Sequence, residues 1–298
     1  MRLCIHIISS RVNCLKLSLA SFYKHFNSNY DIPVYIYYFD DIYSENYIND
    51  IHNSLSENIK FIQLDYGIPP DLNFNDIYFI KQNNPNRLGY HHMCNFWSNF
   101  YEYPKTEYYK FDIAMNFDDD SLWIKDFNIS FIENLIKSES VIMSFNCYKY
   151  DVNHRSRGVR TGLCSLVCDY CKKYNIVPKK DWIKKLLNIV DTKEREDYFQ
   201  TNLTCYDTNI TKLEIYKCDE HKNWMNEVNN SNGIYKYRWG DNEVLSLYHD
   251  IHYDTDVLLI GNIKTAAGLT TDYIDPGGLR NITDYAPSVK FPKKIRDF

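Results

Sequence analysis

Apolar runs and helical stripes alternate in the order β-α-β-α-β along the first 64 residues. Arg2–Ile8 is an apolar run of strand length, and Ser9, Ser10, Arg11, Val12 and Asn13 form a polar loop behind it. Leu15, Leu19, Phe22 and Phe26 follow at the spacing of one helix face, with Asn13 placed to cap that helix. Val34–Phe39 is a second strand that ends in Asp40 and Asp41. A short helix over Ser44–Leu55 and a third strand, Ile59–Leu64, complete the series. This order predicts an α/β protein with a parallel, doubly wound sheet and ligands at the carboxyl edge of its strands.

Asp65–Leu88 is rich in Pro, Asn and Asp and predicts a long connection, the kind that often carries function. Gly89–Tyr101 and Phe131–Ile136 predict helices, Ser140–Cys147 a strand and Val257–Ile260 a late strand. The tail from Thr265 is rich in Gly, Pro and Asp and is expected to wrap the surface.

Chemistry concentrates in Tyr108–Trp123, YYKFDIAMNFDDDSLW. The run to Phe117 predicts a buried strand, and Asp118, Asp119 and Asp120 follow it directly. Three like charges beside a buried strand repel one another and resist desolvation. A hard divalent cation such as Mg²⁺ or Mn²⁺ cancels that cost through carboxylate oxygens. Period two puts Asp118 and Asp120 on one side, as carriers of a metal on a diphosphate; the bland alternative is an acidic turn that ends a strand. Arg11, in the first edge loop, is a candidate contact to a nucleotide base or phosphate, or else a surface arginine. In YRWGDNEVLSL, Gly240 allows a tight turn and Asp241 opens a helix with Glu243 in its first turn. Asp241 can cap that helix and still serve catalysis.

Composition narrows the classes. With 298 residues and 44% hydrophobic content the chain suits one large domain. Lys+Arg 34 against Asp+Glu 39 gives −5, which offers no global field for nucleic acid. The 27 tyrosines fit a biased composition first and sugar or base stacking second. No run reaches the roughly 18–20 apolar residues of a membrane span, and the N-terminus lacks signal-peptide features, so a cytoplasmic protein is expected. The nine cysteines, scattered and odd in number, predict reduced thiols, and the N-x-S/T sequons carry little weight without a secretory signal.

Three smaller groups each carry two readings. Cys164, Cys168 and Cys171 have a spacing seen in iron–sulfur enzymes that cleave S-adenosylmethionine; they also share one helix face flanked by Leu163, Leu166 and Val167, which favours a buried helix. His154, Arg155, Arg157 and Arg160 make a basic loop, either a phosphate contact or a solvated loop. His249 and His252 stand one turn apart, as a metal pair or as surface histidines.

The chain resembles the fungal α-1,2-mannosyltransferases, the glycolipid 2-α-mannosyltransferase family. The matching stretches are YHHMCNFW at Tyr90–Trp97 for the family's Y-H-x-M-C-R-F, Tyr108–Asp120 for its strand ending in E-P-D, and YRWGDNEVLSL at Tyr237–Leu247 for its E-R-W-G-D-A-P-x-H-S-L. The opening strand with Arg11 and the SENY segment near Ser44 also fit, so the resemblance spans nearly the whole chain. It implies a GT-A fold: a doubly wound mixed sheet flanked by helices, in a single domain over 1–298 with an elaborated C-terminal half. Residues 1–125 would bind the nucleotide sugar and 126–298 the acceptor.

The implied activity is a retaining transfer of mannose from GDP-mannose to a hydroxyl of a glycan acceptor, with Mn²⁺ or Mg²⁺ on the diphosphate. Ser9, Arg11, Tyr90 and Asp118 would hold the donor, Asp118 and Asp120 the metal, and Asp241 and Glu243 the reaction centre. The chain departs from the family at Thr204, where a proposed nucleophilic Glu is expected, at Asn95, where the motif has Arg, and at Ile260–Ile263, where a metal-binding His is missing. The family's N-terminal membrane anchor is not expected in this protein. The alternative is a glycan- or nucleotide-binding protein that keeps the fold without turnover.

Overall fold

The computed structural model describes residues 2–149, 160–259 and 274–275. Nine strands are described: β1 Leu3–Ile8, β2 Val34–Tyr38, β3 Ile59–Gln63, β4 Ile113–Asn116, β5 Leu122–Trp123, β6 Ile142–Lys149, β7 Thr204–Lys212, β8 Leu258–Leu259 and β9 Ile274–Asp275. Helices α1 Val12–His25 and α2 Glu45–Ser54 cross between the first strands. The short α3 Tyr78–Lys81 and then α4 Leu88–Ser98 precede β4, and α5 Ser130–Lys137 precedes β6. The second half adds α6 Leu163–Lys173, α7 Asp181–Asn188, α8 Thr192–Asn202, α9 Asp219–Ser231, α10 Gly233–Lys236 and α11 Asp241–His252.

Seven strands form one sheet in the order β3-β2-β1-β4-β7-β6-β8. β1 pairs in parallel with β2 and β4, and β2 with β3. β7 runs antiparallel to both β4 and β6, which makes the sheet mixed. The β4–β7 pair also carries the sheet across the expected division at residue 125.

Alternation along the strands builds two cores. On β1, Ile5 and Ile7 face one side and Cys4 and Ile8 the other. On β2, Val34, Ile36 and Tyr38 join the first side, and Tyr35 and Tyr37 the second. The first core takes Leu15, Leu19, Phe22 and Phe26, all fully buried as the helical spacing required. The second core takes α4, α6, α9 and α11. Burial on both faces explains why these strands are apolar throughout.

Several local expectations change. Asn13 does not cap α1: Arg11 is the N-cap and makes no side-chain cap bond. Ser44 does cap α2, accepting from the Tyr47 amide. The strand expected from Tyr108 starts only at Ile113, because Tyr108–Lys110 is a 3₁₀ turn entered through Glu107 at φ +50°. Tyr108 packs edge-on against Tyr101 at 5.3 Å, so its aromatic surface is half-buried by tertiary contact rather than by strand pairing. The late strand narrows to Leu258–Leu259, and the tail from Thr265, apart from 274–275, lies outside the described residues.

Candidate active site

The three aspartates sit in a turn behind β4, with the Ser121 amide donating to the Asp118 carbonyl. The period-two argument for Asp118 and Asp120 therefore does not apply, since it requires extended backbone. The three carboxylates go to different places. Asp118 lines a cleft, whereas Asp119 and Asp120 are 1% and 0% exposed.

Asp119, given no role by the sequence, anchors the first edge loop. Its Oδ2 accepts from Ser9 Oγ at 2.7 Å and from the Ser10 and Arg11 amides at 3.0 Å each. Its Oδ1 accepts from Arg11 Nε at 2.8 Å and also from Nη2. The carboxylate thus stands at the N-terminus of α1, where amides and helix dipole favour a negative charge. Arg11 Nη1 reaches Asp120 Oδ2 at 2.8 Å. Burial opposes the Arg11 charge, but Asp119, Asp120 and Asp118 outweigh it and hold the guanidinium above its ordinary pKa. The repulsion expected to require a metal is thus met for two of the carboxylates by Arg11. Ser9 and Arg11, expected on the donor, both take part in this tie.

The cleft lies at the carboxyl end of β4 and is open to solvent. Asn116, Phe117 and Asp118 form one wall and Asn209 of β7 adds an amide. Asp241, Asn242 and Leu245 of α11 close the opposite side, with Trp97 and Tyr101 beneath. Two carboxylates separated by 123 positions in sequence, Asp118 and Asp241, therefore face one space.

Gly240 is the N-cap of α11 at φ −81°, so its role is not a left-handed turn. A Cβ there would lie 2.2 Å from Glu243 Oε2, so the glycine makes room for that carboxylate to fold back over the turn. Glu243 is 5% exposed and does not line the cleft; its Oε1 lies 3.6 Å from Nε of the fully buried Arg160. Arg160 is accordingly no part of a solvated basic loop, while His154, Arg155 and Arg157 lie outside the described residues.

Tyr90 sits beside this turn without lining the cleft. Its phenol pKa is pushed up by Cys94 first, then by burial and by the carboxylates Asp241 and Glu243, which keeps it a neutral donor. The Arg238 guanidinium lies 4.8 Å over its ring and 5.5 Å over that of Phe79. Arg238 was missed in the sequence because nothing there reveals its φ of +58°, a conformation uncommon outside glycine that turns its side chain back onto Tyr90.

Asn209 was missed for a different reason. Thr-Asn-x-Thr occurs twice, at 201–204 and 208–211, and only the second copy reaches the cleft. Thr204 opens β7 opposite Lys149, whereas Thr211 Oγ1 donates to Asn209 Oδ1 at 2.9 Å. His249 is fully buried beside Asp250, and His252 meets Tyr170 at 3.1 Å, so the two form no metal pair. Cys164 and Cys171 are buried on α6 as expected of a core helix. Among the described residues no three His, Cys, Asp or Glu side chains converge as a ligand set.

The fold has solved counterparts. The mannosyltransferase Ktr4p of Saccharomyces cerevisiae, also solved in complex with GDP, superposes with a TM-score of 0.68 at 16% identity over 85% of this chain and 66% of that one. Core-mannan synthase A of Aspergillus fumigatus, in an Mn/GDP form, gives 0.68 at 12% identity over 84% and 70%. The chain has the GT-A glycosyltransferase fold. In sequence it is 24% identical over 170 residues to a probable mannosyltransferase, KTR4, of S. cerevisiae. That match takes in 53% of this chain and only 34% of the relative. No family model matches the chain. Within the GT-A fold the cleft lies where β4 ends, at the edge on which open α/β sheets hold ligands. Among the described residues no helix is long and apolar enough to cross a membrane.

Proposed function

We propose that this protein is a retaining glycosyltransferase that moves mannose from GDP-mannose to a hydroxyl of a glycan acceptor, with Mn²⁺ or Mg²⁺ on the diphosphate. The observation that carries this reading is the convergence of Asp118 and Asp241 on one cleft at the end of β4. The donor class follows the relatives solved with GDP and with Mn/GDP.

The residues present fit a hard divalent ion. Asp118, Asn116 and Asn209 offer oxygens, the donor class that suits Mg²⁺ and Mn²⁺. With one lining carboxylate on this wall, the remaining ligands are left to phosphate oxygens and water, the usual arrangement for such an ion with a nucleotide. When bound, the ion neutralises charge on the departing diphosphate.

Asp241 is proposed to accept a hydrogen bond from the acceptor hydroxyl and aim it at the sugar carbon. The new bond joins that oxygen to the anomeric carbon as the bond to the diphosphate breaks. The leaving oxygen keeps the electron pair, and the hydroxyl proton passes to it on the shared face. Trp97 and Tyr101 exclude water from the floor of the cleft. Tyr90 supports the α11 turn as a neutral hydroxyl. Glu243, first expected in the reaction centre, is assigned to positioning that turn against Arg160, and Asp120 to holding Arg11.

Thermal stability measured against a panel of nucleoside diphosphates tests the reading, because a ligand that binds only the folded state raises it. A shift with GDP that needs Mn²⁺, and Mn²⁺-dependent hydrolysis of GDP-mannose lost in Asp118→Ala, are expected. Binding without hydrolysis or transfer would replace the transferase with a nucleotide-binding protein, and no shift with any nucleotide would sink the transferase and leave the glycan-binding alternative.

A further inference from the structure

α4 presents different faces to two spaces. Trp97 lines the cleft, while His92, Asn95 and Asn99 line two depressions elsewhere on the surface. The first lies at the carboxyl edge of β2 and β3, where Phe39 and Asp65–Gly67 leave the sheet. The second runs towards Asn229 and Asn232 at the end of α9. Asn95, Tyr103 and Tyr235 line both, so the depressions join into one groove.

The chemistry of this groove is selective. Tyr66 is 51% exposed, yet its ring is fixed: it lies 4.6 Å from His92 and 5.3 Å from Phe39, and its hydroxyl donates to Asp40 at 3.0 Å. A large aromatic face held open to solvent is a stacking platform. Beyond it stands a row of side-chain amides. Asn99 donates to Asn95 Oδ1 and to Asn229 Oδ1, each at 3.1 Å, and Asn229 donates back to Asn99 Oδ1 at 2.7 Å. Asn99 also donates to the Asn95 carbonyl at 3.0 Å, so both of its N–H groups are engaged. A primary amide has two N–H donors and two acceptor lone pairs, so these bonds orient the groups and leave capacity for a ligand on Asn229 and on the side-chain oxygen of Asn99.

Among the described residues no lysine or arginine lines either depression, and the one acid, Asp65, is paired with Lys105 at 3.0 Å. A phosphorylated ligand needs charged donors that the groove lacks. Aromatic faces beside neutral amides match a ring with apolar C–H faces and hydroxyl edges. We propose that this groove binds a neutral oligosaccharide, at a site separate from the Asp118–Asp241 cleft. The assignment rests on the groove itself and stands whether or not the cleft turns over a donor.

Titration calorimetry on the full chain with mannotriose, maltotriose and xylotriose tests it, with GDP and Mn²⁺ present and absent. One of the three is expected to bind, equally well in both conditions. Tyr66→Ala and Asn95→Ala should each weaken that binding about fivefold to tenfold. Tyr66 is half exposed, so its variant should keep the wild-type melting temperature and the wild-type GDP response. Lack of binding by all three sugars would overturn the proposal, as would variants that bind like wild type. Displacement of the sugar by guanosine would also overturn it and make the groove a base pocket. The GDP response of the same sample reports on the cleft independently, so failure of one site is distinguishable from failure of the other.

Discussion

The Asp118–Asp120 turn and the Asp241–Glu243 helix start are built on one plan with different materials. In each, one carboxylate faces the cleft and a near neighbour is buried against an arginine from elsewhere in the chain. In the first, Arg11 is one-third exposed and is joined by a hydroxyl and two backbone amides. In the second, Arg160 is fully buried and stands 3.6 Å from Glu243, with Gly240 clearing the space. The difference teaches that a run of acids divides into cleft-facing and buried members according to which arginine and amides the fold brings up.

The largest effect separates these roles. Asp118→Asn and Asp241→Asn should each lower Mn²⁺-dependent turnover by about 10²–10³-fold while the melting temperature barely moves. Equal loss of stability in these variants would erase the distinction between the two kinds of acid. Asp119→Ala and Glu243→Ala should show the reverse emphasis, with unfolding free energy reduced by about 3 kcal/mol in urea titrations. The first leaves the Ser9 hydroxyl and two backbone amides without their acceptor and Arg11 with Asp120 alone, and the second removes the carboxylate beside buried Arg160. The Asp119 variant should lie at the lower end, since solvent reaches Arg11.

Two glycines sharpen the contrast further. A Cβ on Gly233 would lie 2.2–2.4 Å from the Trp239 indole, which is 1% exposed and donates to the Thr161 carbonyl at 2.9 Å. Gly233→Ala should therefore cost about 2 kcal/mol of stability. At Gly240 the clash is with the end of a flexible carboxylate, so Gly240→Ala should be milder in stability, below about 1 kcal/mol. Thermal melts that rank the two in the opposite order would show that the Glu243 carboxylate cannot yield.

A pH dependence comes from two histidines that pack against rings of the second core. Burial lowers His6, stacked at 5.2 Å on Tyr35, to a pKa of about 3, and it lowers His221, against Tyr216 and Tyr248, equally to about 3. An exposed histidine titrates near 6.5, so between these values the unfolded chain takes up protons that the folded chain refuses. Their stability is intact above about pH 6.5 and falls as pH drops, by at most about 1.4 kcal/mol per pH unit for each. Urea midpoints at pH 7 and pH 5 should show the loss, and His6→Phe should reduce it.

By itself the sequence determined the order of the first elements, the helix face of Leu15, Leu19, Phe22 and Phe26, and the two acidic stretches. These follow from periodicity and from abrupt changes of polarity, which are local. It also marked Asp118 and Asp241 as candidates, through composition and through family resemblance. Only the tertiary structure decided which acid does what. Asp119 caps α1 from 108 positions away in the chain, and Arg160 meets Glu243 across 83, and no local pattern records such pairings. The same holds for Asn209, chosen over the earlier Thr-Asn-x-Thr copy because β7 pairs antiparallel with β4 and brings that residue to the cleft. Sequence sets the menu of charges; long-range pairing and burial select which of them stay exposed to a ligand, because a buried carboxylate persists only where the fold supplies its partner.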